Sequence, residues 1–344
     1  MSKIAKRFRD YGFISGLLPT GANNLISDVA NVKVGHVTKT EGDDTRTGVT
    51  VVDPGTDDLF RNKLPAAVAV GNGFGKMAGS TQIEELGTLE TPIALTNTLA
   101  VGPVLRGVVD LTLQNTLDIK PFETVNAVVG ETNDGLVNAI HKNIVTGDDV
   151  ARAYADKKKE FALGCVGAGT GTRAFSWKGG IGSASRVVSL DGRKYTVGAL
   201  VQTNFGGNLT IMGIPVGQKL GTTDFDAFIN TPDGSCMIVL ATDAPLTERQ
   251  LRRLAKRGLL GMAKTGSVMA NGSGDYAIAF SVEKTGSIDD DQITPFFLAA
   301  VEVVEESIYD ALFLAETTTG RDGRRLDVLP VEQVVAMIRK AYEK

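Results

Sequence analysis

Two histidines, two cysteines and one tryptophan among 344 residues leave the chain short of the groups that several chemistries need. With only His36 and His141, a multi-histidine metal centre is almost excluded and a Ser-His-Asp triad lacks a well-placed base. Cys165 and Cys236 are too few for a disulfide framework and are not spaced like a zinc site, so no metal and no cofactor is expected. No apolar run approaches the roughly 20 residues that span a bilayer. The start carries no signal-peptide core, and a cytoplasmic protein without a membrane partner is the expectation. The balance of 36 Lys+Arg against 40 Asp+Glu gives no polyanion footprint, which argues against nucleic acid. Lys3, Lys6, Arg7 and Arg9 form a small basic cluster that reads as a solvated arm.

Glycine, by contrast, is plentiful at 40 residues. Gly167-Ala-Gly-Thr-Gly171 lacks both the third-glycine spacing of a dinucleotide fingerprint and the Gly-Lys-Ser/Thr of a P-loop. It reads as an irregular surface connection whose glycines let the backbone crowd a neighbouring element.

Periodicity alternates strands with helices along the chain. Strands are expected at Val49–Val52, Ala66–Val70, Ile93–Leu95, Val125–Val129, Tyr195–Val201, Met237–Thr242 and Tyr276–Val282. Helices are expected at Val104–Gln114, Leu136–Ile144, Asp149–Lys157, Glu248–Ala263, Pro295–Leu314 and Val331–Tyr342. In the fifth of these, Leu298, Val301, Val304, Ile308, Ala311 and Leu312 form an apolar stripe to cover a sheet, with Glu302, Glu305 and Glu306 displaced to the other side. No repeat, low-complexity tract or linker divides the chain, so a single domain over 1–344 is expected.

The most informative segment is Thr231-Pro-Asp-Gly-Ser-Cys-Met-Ile-Val-Leu-Ala-Thr242. Pro232-Asp233-Gly234 has the chemistry of a turn, and Cys236 to Ala241 has the length and composition of a strand buried on both faces. Ser235 thus stands at the threshold of a rigid strand, behind a flexible glycine. If its hydroxyl attacks the preceding carbonyl, the chain is cut and Ser235 becomes an N-terminus with an amine whose pKa, near 7.7–8, suits it to act as its own base. Downstream, Thr247 and Gln250 form a capping box stapled by Leu246 and Leu251, which starts a helix near Glu248. If the strands on either side of that helix are parallel, Ser273 and Asp275 enter the sheet at the same edge as Ser235. Cys236 alternates away from Ser235 along the strand.

Together, the Asp-Gly-Ser235 start, Ala241-Thr-Asp-Ala-Pro-Leu246, Ala263-Lys-Thr-Gly-Ser267 and Asn271-Gly-Ser-Gly-Asp275 resemble the self-processing L-aminopeptidase/D-esterase family, which includes the β-peptidyl aminopeptidases. The resemblance runs along nearly the whole chain, through Asn24–His36, Arg46–Val52, Gly71-Asn-Gly73, Thr91–Thr98, Val128–Gly135, Leu200–Gly206 and Thr319–Gly323 in order.

This resemblance implies one four-layer α/β/β/α sandwich, like N-terminal nucleophile hydrolases but with different connectivity. It implies cleavage between Gly234 and Ser235 into a 1–234 α chain and a 235–344 β chain. Ser235 matches the nucleophile, Ser273 and Asp275 the hydroxyl and carboxylate that complete its catalytic group, and Asn204 an oxyanion donor. The base is left open between the Ser235 amine and the Ser273 hydroxyl. Glu131 matches the carboxylate that pairs with a substrate's free ammonium and closes the pocket to longer chains. Asn133 stands where some relatives carry a tyrosine, which puts in doubt any hydrogen bond from that phenol. The expected partners are small peptides, amides or esters bearing a free amine, together with further copies of the chain in a homo-oligomer, commonly a tetramer. Alternatives from other classes are a non-catalytic small-molecule-binding protein of the same fold and a related amidase or amide-forming enzyme.

Overall fold

Two mixed sheets stack face to face, and helices cover the outer side of each. The computed structural model of the chain describes residues 5–222 and 233–342. The first sheet runs β1 (Lys33–Glu41), β2 (Thr45–Asp53), β6 (Ile93–Asn97), β7 (Val128–Thr132) and β4 (Met77–Ala78). The second runs β10 (Ile181–Leu190), β11 (Arg193–Asn204), β12 (Asp233–Thr242), β13 (Gly272–Ser281), β3 (Leu64–Gly73) and β5 (Thr88–Leu89). Two short ribbons, β8 (Arg173–Ala174) with β9 (Trp177–Lys178) and β14 (Thr318–Thr319) with β15 (Arg325–Leu326), complete the strands described. The helices are α1 (Ser80–Leu86), α2 (Val101–Asn115), α3 (Gly147–Ala155), α4 (Val216–Leu220), α5 (Glu248–Lys264), α6 (Thr294–Phe313) and α7 (Val331–Tyr342).

Strand alternation distributes the core into three layers. Val49, Val51, Ala94 and Val129 face Val104, Val108 and Val150 of α2 and α3. Val52, Leu95 and Val128 turn the other way, onto Leu200, Val239 and Ile278 of the second sheet. Ile238 and Leu240 face outward again, to Leu254, Val304 and Ile338 on α5 to α7. The architecture is therefore the expected α/β/β/α sandwich. Among the described residues, no helix is long and apolar enough to cross a membrane.

The capping box at Thr247 forms, with Gln250 N–H donating to Thr247 Oγ1 at 3.3 Å, and α5 starts at Glu248. That helix crosses between β12 and β13, which are parallel. β11 and β12 extend beyond the apolar runs that announced them, because polar residues at those ends are satisfied between the sheets. Gln202 Nε2, for example, donates to Thr96 O, Thr132 Oγ1 and Ala168 O at 2.8–3.0 Å. Asp233 and Gly234 already pair in β12. Thr231, Pro232 and Lys3 lie outside the described residues.

Four expectations are corrected. Leu136–Ile144 is not a helix but a set of turns with one 3-10 turn, Ile140–Lys142, because Ala139 N–H is drawn to Asp44 O at 2.7 Å. Gly167–Gly171 is buried rather than superficial, although its backbone does crowd its neighbours: a Cβ on Gly171 would stand 2.1 Å from Arg46 O. Glu302, Glu305 and Glu306 are not on a solvated side of α6 but buried. Arg7 and Arg9 are half-buried rather than a solvated arm, because they meet acids of α6: Arg7 Nε donates to Asp310 Oδ2 at 2.8 Å and Arg9 Nε to Glu306 Oε1 at 2.5 Å.

The segment from Arg7 to Asn24 is thus strapped to α6 by charge as well as by Phe8, which is buried against Tyr309 and Phe313. At the centre Arg186, fully buried, donates to Glu302 Oε2 at 2.9 Å and to Glu306 Oε2 at 2.6 Å. Removing one partner of such a group leaves the other charge desolvated and uncompensated, at about 3–5 kcal/mol. Arg186→Met should therefore lower the unfolding free energy at pH 7 by about that amount, measured by urea denaturation. The loss should shrink toward pH 4, because the intact chain holds the Glu306 carboxyl below its usual range through Arg186 and Arg9 against the pull of burial and the variant does not. A loss below 1 kcal/mol would show that the cluster adds nothing.

Candidate active site

Ser235 takes its neighbours from two ladders. On one side it lies opposite Asn204 of antiparallel β11; on the other it lies opposite Gly274 of parallel β13. Directly opposed side chains on an antiparallel pair stand about 4.5–5.5 Å apart at Cβ. The Asn204 amide and the Ser235 hydroxyl are therefore immediate neighbours on the face turned toward the first sheet. Asn204 Oδ1 accepts from the Arg173 backbone N–H at 3.1 Å, which leaves the NH2 as the free-facing donor end of that amide. Both side chains are buried. Ser235 Oγ donates to the Gly234 carbonyl oxygen at 2.5 Å. The hydroxyl rests on the peptide bond that precedes it.

Ser273 and Asp275 are close to that bond but reach it from behind. Their register partners are Gly234 and Cys236, so alternation turns them to the helix-covered face, opposite to the Ser235 side chain. A Cβ on Gly234 would lie 2.9 Å from Ser273 Oγ, and Ser273 Oγ in turn donates to Asp275 Oδ1 at 2.9 Å. Asp275 Oδ2 is buried without a hydrogen-bond partner among the described residues. Burial pushes the Asp275 carboxyl up to about 6, opposed by the Ser273 hydrogen bond. The same dry surroundings, with Asp275 nearby, hold the Cys236 thiol well above its ordinary range. Cys236 is thus poorly suited to attack as a thiolate.

Glu131, next to last in β7 of the facing sheet, meets Ser235 across the gap through two glycines. A Cβ on Gly75 would stand 3.0 Å from both Glu131 Oε1 and Gly274 Cα; one on Gly274 would stand 2.6 Å from Gly75 Cα and 3.4 Å from Ser235 Oγ. Only bare backbone fits between nucleophile and carboxylate. Glu131 is buried and accepts from Lys76 N–H at 3.0 Å, while its other oxygen accepts from Thr98 Oγ1. The Lys76 ammonium is 3.7 Å from Glu131 Oε1 on a side chain that is 56% exposed, a pairing weak enough for another cation to displace.

The crossing strip from Asn72 to Lys76 carries positioning residues that sequence reading missed. Asn72 Nδ2 donates to Ala270, Asn271 and Ser273 carbonyls at 2.6–3.1 Å, and Tyr276 OH donates to Gly75 O at 2.8 Å. The glycine density of Gly71-Asn-Gly-Phe-Gly75 was the available signal. Asn133 stays exposed and uses its Oδ1 to bind Gly135 N–H at 2.9 Å. It shares with Asn204 the lining of an open cleft of about 320 Å³.

Comparison with known proteins gives the chain a family and a fold. The family model described as peptidase family S58 matches residues 24–326. A β-peptidyl aminopeptidase, BapA, from Sphingosinicella microcystinivorans is 38% identical over 97% of this chain and 92% of its own. Among solved structures, the PH0078 protein of Pyrococcus horikoshii superposes with a TM-score of 0.91 at 42% identity, covering 98% of this chain and 99% of that one. The L-aminopeptidase D-Ala-esterase/amidase of Ochrobactrum anthropi, described as a prototype serine aminopeptidase and a new variant of the Ntn hydrolase fold, superposes at 0.88 with 34% identity, over 97% of this chain and 98% of that one.

The unpartnered Asp275 oxygen carries a measurable penalty. A carboxyl raised in the folded state contributes stability that is complete below its unfolded pKa, near 3.9, and lost as pH rises through the folded value, about 6. Asp275→Asn should stabilise the folded chain by about 1–2 kcal/mol at pH 7.5 and leave it unchanged at pH 4. Urea midpoints at the two pH values test this; equal effects at both would show that ionisation is not the cause.

Proposed function

From its membership of peptidase family S58, as a hydrolytic enzyme of the aminopeptidase kind, we propose that the chain cuts itself between Gly234 and Ser235 and then removes N-terminal residues from small peptides, amides or esters through an acyl-enzyme on Ser235. The observation that carries this reading is the seating of Ser235 Oγ on the Gly234 carbonyl, with Asn204 opposite in register.

In the first stage Oγ adds to the Gly234 carbonyl carbon, the C–N bond breaks, and the hydroxyl proton passes to the leaving nitrogen. That step leaves the Ser235 amine free and Gly234 held as an ester on Oγ; water then hydrolyses the ester, giving a carboxylate at Gly234 and restoring the Ser235 hydroxyl. Ser273, hydrogen-bonded to Asp275 behind the same peptide, is placed to exchange protons with that amine. In the second stage the amine, with Ser273, takes the Oγ proton as Oγ attacks the substrate carbonyl. The Asn204 NH2 meets charge that develops only in the tetrahedral intermediate. The leaving amine takes the proton, and water repeats the cycle on the acyl ester. Glu131 pairs with the substrate ammonium in place of Lys76 and, with the Gly75 backbone, ends the pocket after one residue.

Names of the relatives support both α- and β-amino acids as N-terminal residues. A cytoplasmic homo-oligomer, a tetramer by family resemblance, belongs to the same reading. Its support is two free cysteines and apolar side chains left open to solvent, Leu17 at 86%, Leu117 at 80% and Phe122 at 78%.

Purified protein should appear by intact mass as two fragments, the second beginning at Ser235, and Ser235→Ala should remain one chain without turnover. A wild-type protein that stays uncut, or turnover by Ser235→Ala, would overturn the assignment. Asn204→Ala should lower kcat by about a hundred- to a thousandfold with little change in KM. Glu131→Gln should chiefly raise KM for alanine amide, by roughly ten- to a hundredfold, and an unchanged KM would remove its proposed role.

A further inference from the structure

The cleft that Asn204 shares with Asn133 has a chemical character that the aminopeptidase reading does not use. Its wall carries Arg173, Arg321, Arg324 and His141. These come from three separate parts of the chain brought to one mouth. Arg173 opens the β8–β9 ribbon. His141 lies in the turns after β7, and Arg321 and Arg324 lie in the link between β14 and β15. The link is fixed in place: Arg321 N–H donates to Val137 O at 2.8 Å, and Gly320 N–H to Arg324 O at 2.9 Å.

Two of these arginines, Arg321 and Arg324, are not balanced by buried acids among the described residues. Arg321 has only Asp322, whose carboxylate, 70% exposed, lies 3.4 Å from the buried Nε and makes no hydrogen bond to it. Arg324 makes no ion pair among the described residues. Asp134, beneath the cleft, accepts from Asn138 Nδ2 at 2.9 Å, and burial pushes its carboxyl up to about 7. The nearby Asp44 is taken by Lys142 at 2.6 Å and Asp327 by Arg325 at 2.7 Å. A guanidinium-rich recess of this kind favours a planar oxyanion that can accept two parallel hydrogen bonds.

Resting on the proposed function, we infer that this cleft is the leaving-group subsite and that it selects peptides carrying a carboxylate one residue beyond the scissile bond. Position supports this. Asn204 stands opposite Ser235 and also lines the cleft, whereas Glu131 lies across the gap between the sheets, on the side of the amine. A volume near 320 Å³ is at the lower end of what small-molecule sites occupy. Residues advance by about 3.8 Å each, so a leaving group of one or two residues brings its carboxylate among the arginines. The substrate is thus read at both ends, the ammonium by a carboxylate and the carboxylate by guanidinium, which describes a short peptide rather than a polypeptide. The carboxylate can be the peptide's C-terminus or an acidic side chain on its second residue.

Three substrates separate these sources: alanyl-alanine, alanyl-alanine amide and alanyl-aspartic acid amide, compared by kcat/KM at low salt. At least one of the two anionic peptides should exceed the neutral amide by about tenfold, the worth of one charge-assisted hydrogen bond at a partly open site. A preference for alanyl-alanine assigns the C-terminus, and one for the aspartyl amide assigns the side chain. Arg324→Glu should abolish or invert the preference and Arg324→Lys should retain most of it, with the extent of chain cleavage and the thermal midpoint serving as folding controls. Half-molar salt should erode the preference in the wild type. Turnover of all three at similar efficiency, or a preference indifferent to Arg324→Glu, would overturn the subsite alone. Turnover of none would overturn the aminopeptidase reading and the subsite with it.

Discussion

One strand, β12, is held between an antiparallel partner and a parallel one, and the register of those two ladders sets everything else in the site. Antiparallel pairing with β11 places an amide directly opposite the hydroxyl. Parallel pairing with β13, which requires the α5 crossover, places a glycine opposite the hydroxyl and a serine opposite the preceding glycine. A slip of one residue in either ladder would exchange the faces, burying Ser235 under the helices and turning Cys236 toward the other sheet. That register is therefore specified by the whole apolar pattern of β12, from Met237 and Val239 on one side to Ile238 and Leu240 on the other.

The two faces divide the chemistry between them. On the face between the sheets lie the hydroxyl, the amide and, across the gap, Glu131. On the helix-covered face lie Ser273 and Asp275. The backbone nitrogen of Ser235 belongs to the sheet plane, between the two faces. In the proposed mechanism the amine released there joins the two halves, which the intact chain keeps apart. One polar atom on the helix-covered face, Asp275 Oδ2, is left short of a partner among the described residues. Functional sites tolerate such deficits because the surrounding core supplies the stability they forfeit.

Much of this was legible in the sequence because it is local. The cap at Thr247, the buried run after Ser235 and the Asn-Gly-Ser-Gly-Asp275 turn each depend on neighbours within a few positions, and the parallel pairing follows from a helix between two strands. What escaped depends on partners far along the chain. The acids of α6 read as a solvated edge because Arg186 lies 116 residues from Glu302 and Arg9 lies 297 residues from Glu306. The segment 136–144 reads as a helix until Asp44 and Arg321 claim its backbone. Gly167–Gly171 reads as a surface loop because glycine permits both exposure and close packing, and only the presence of Arg46, Ile181 and Thr50 around it decides.

Exopeptidase character also follows from packing rather than from any single catalytic group. A nucleophile, a carbonyl and an oxyanion donor are common to enzymes that cut in the middle of chains; what confines cleavage to an end is the lack of room beyond it. Gly75 lies 3.0 Å or less from two neighbours once a Cβ is imagined on it, so its backbone already fills the space through which a longer chain would continue. Glu131 sits behind it, with its oxygens directed to Lys76 and Thr98; in the proposed function its charge excludes an uncharged acylated N-terminus as firmly as it attracts an ammonium. Tyr276 and Asn72 hold that strip against the site. Loosening them would widen the pocket before it weakened the chemistry, and selectivity for chain ends would be lost ahead of rate.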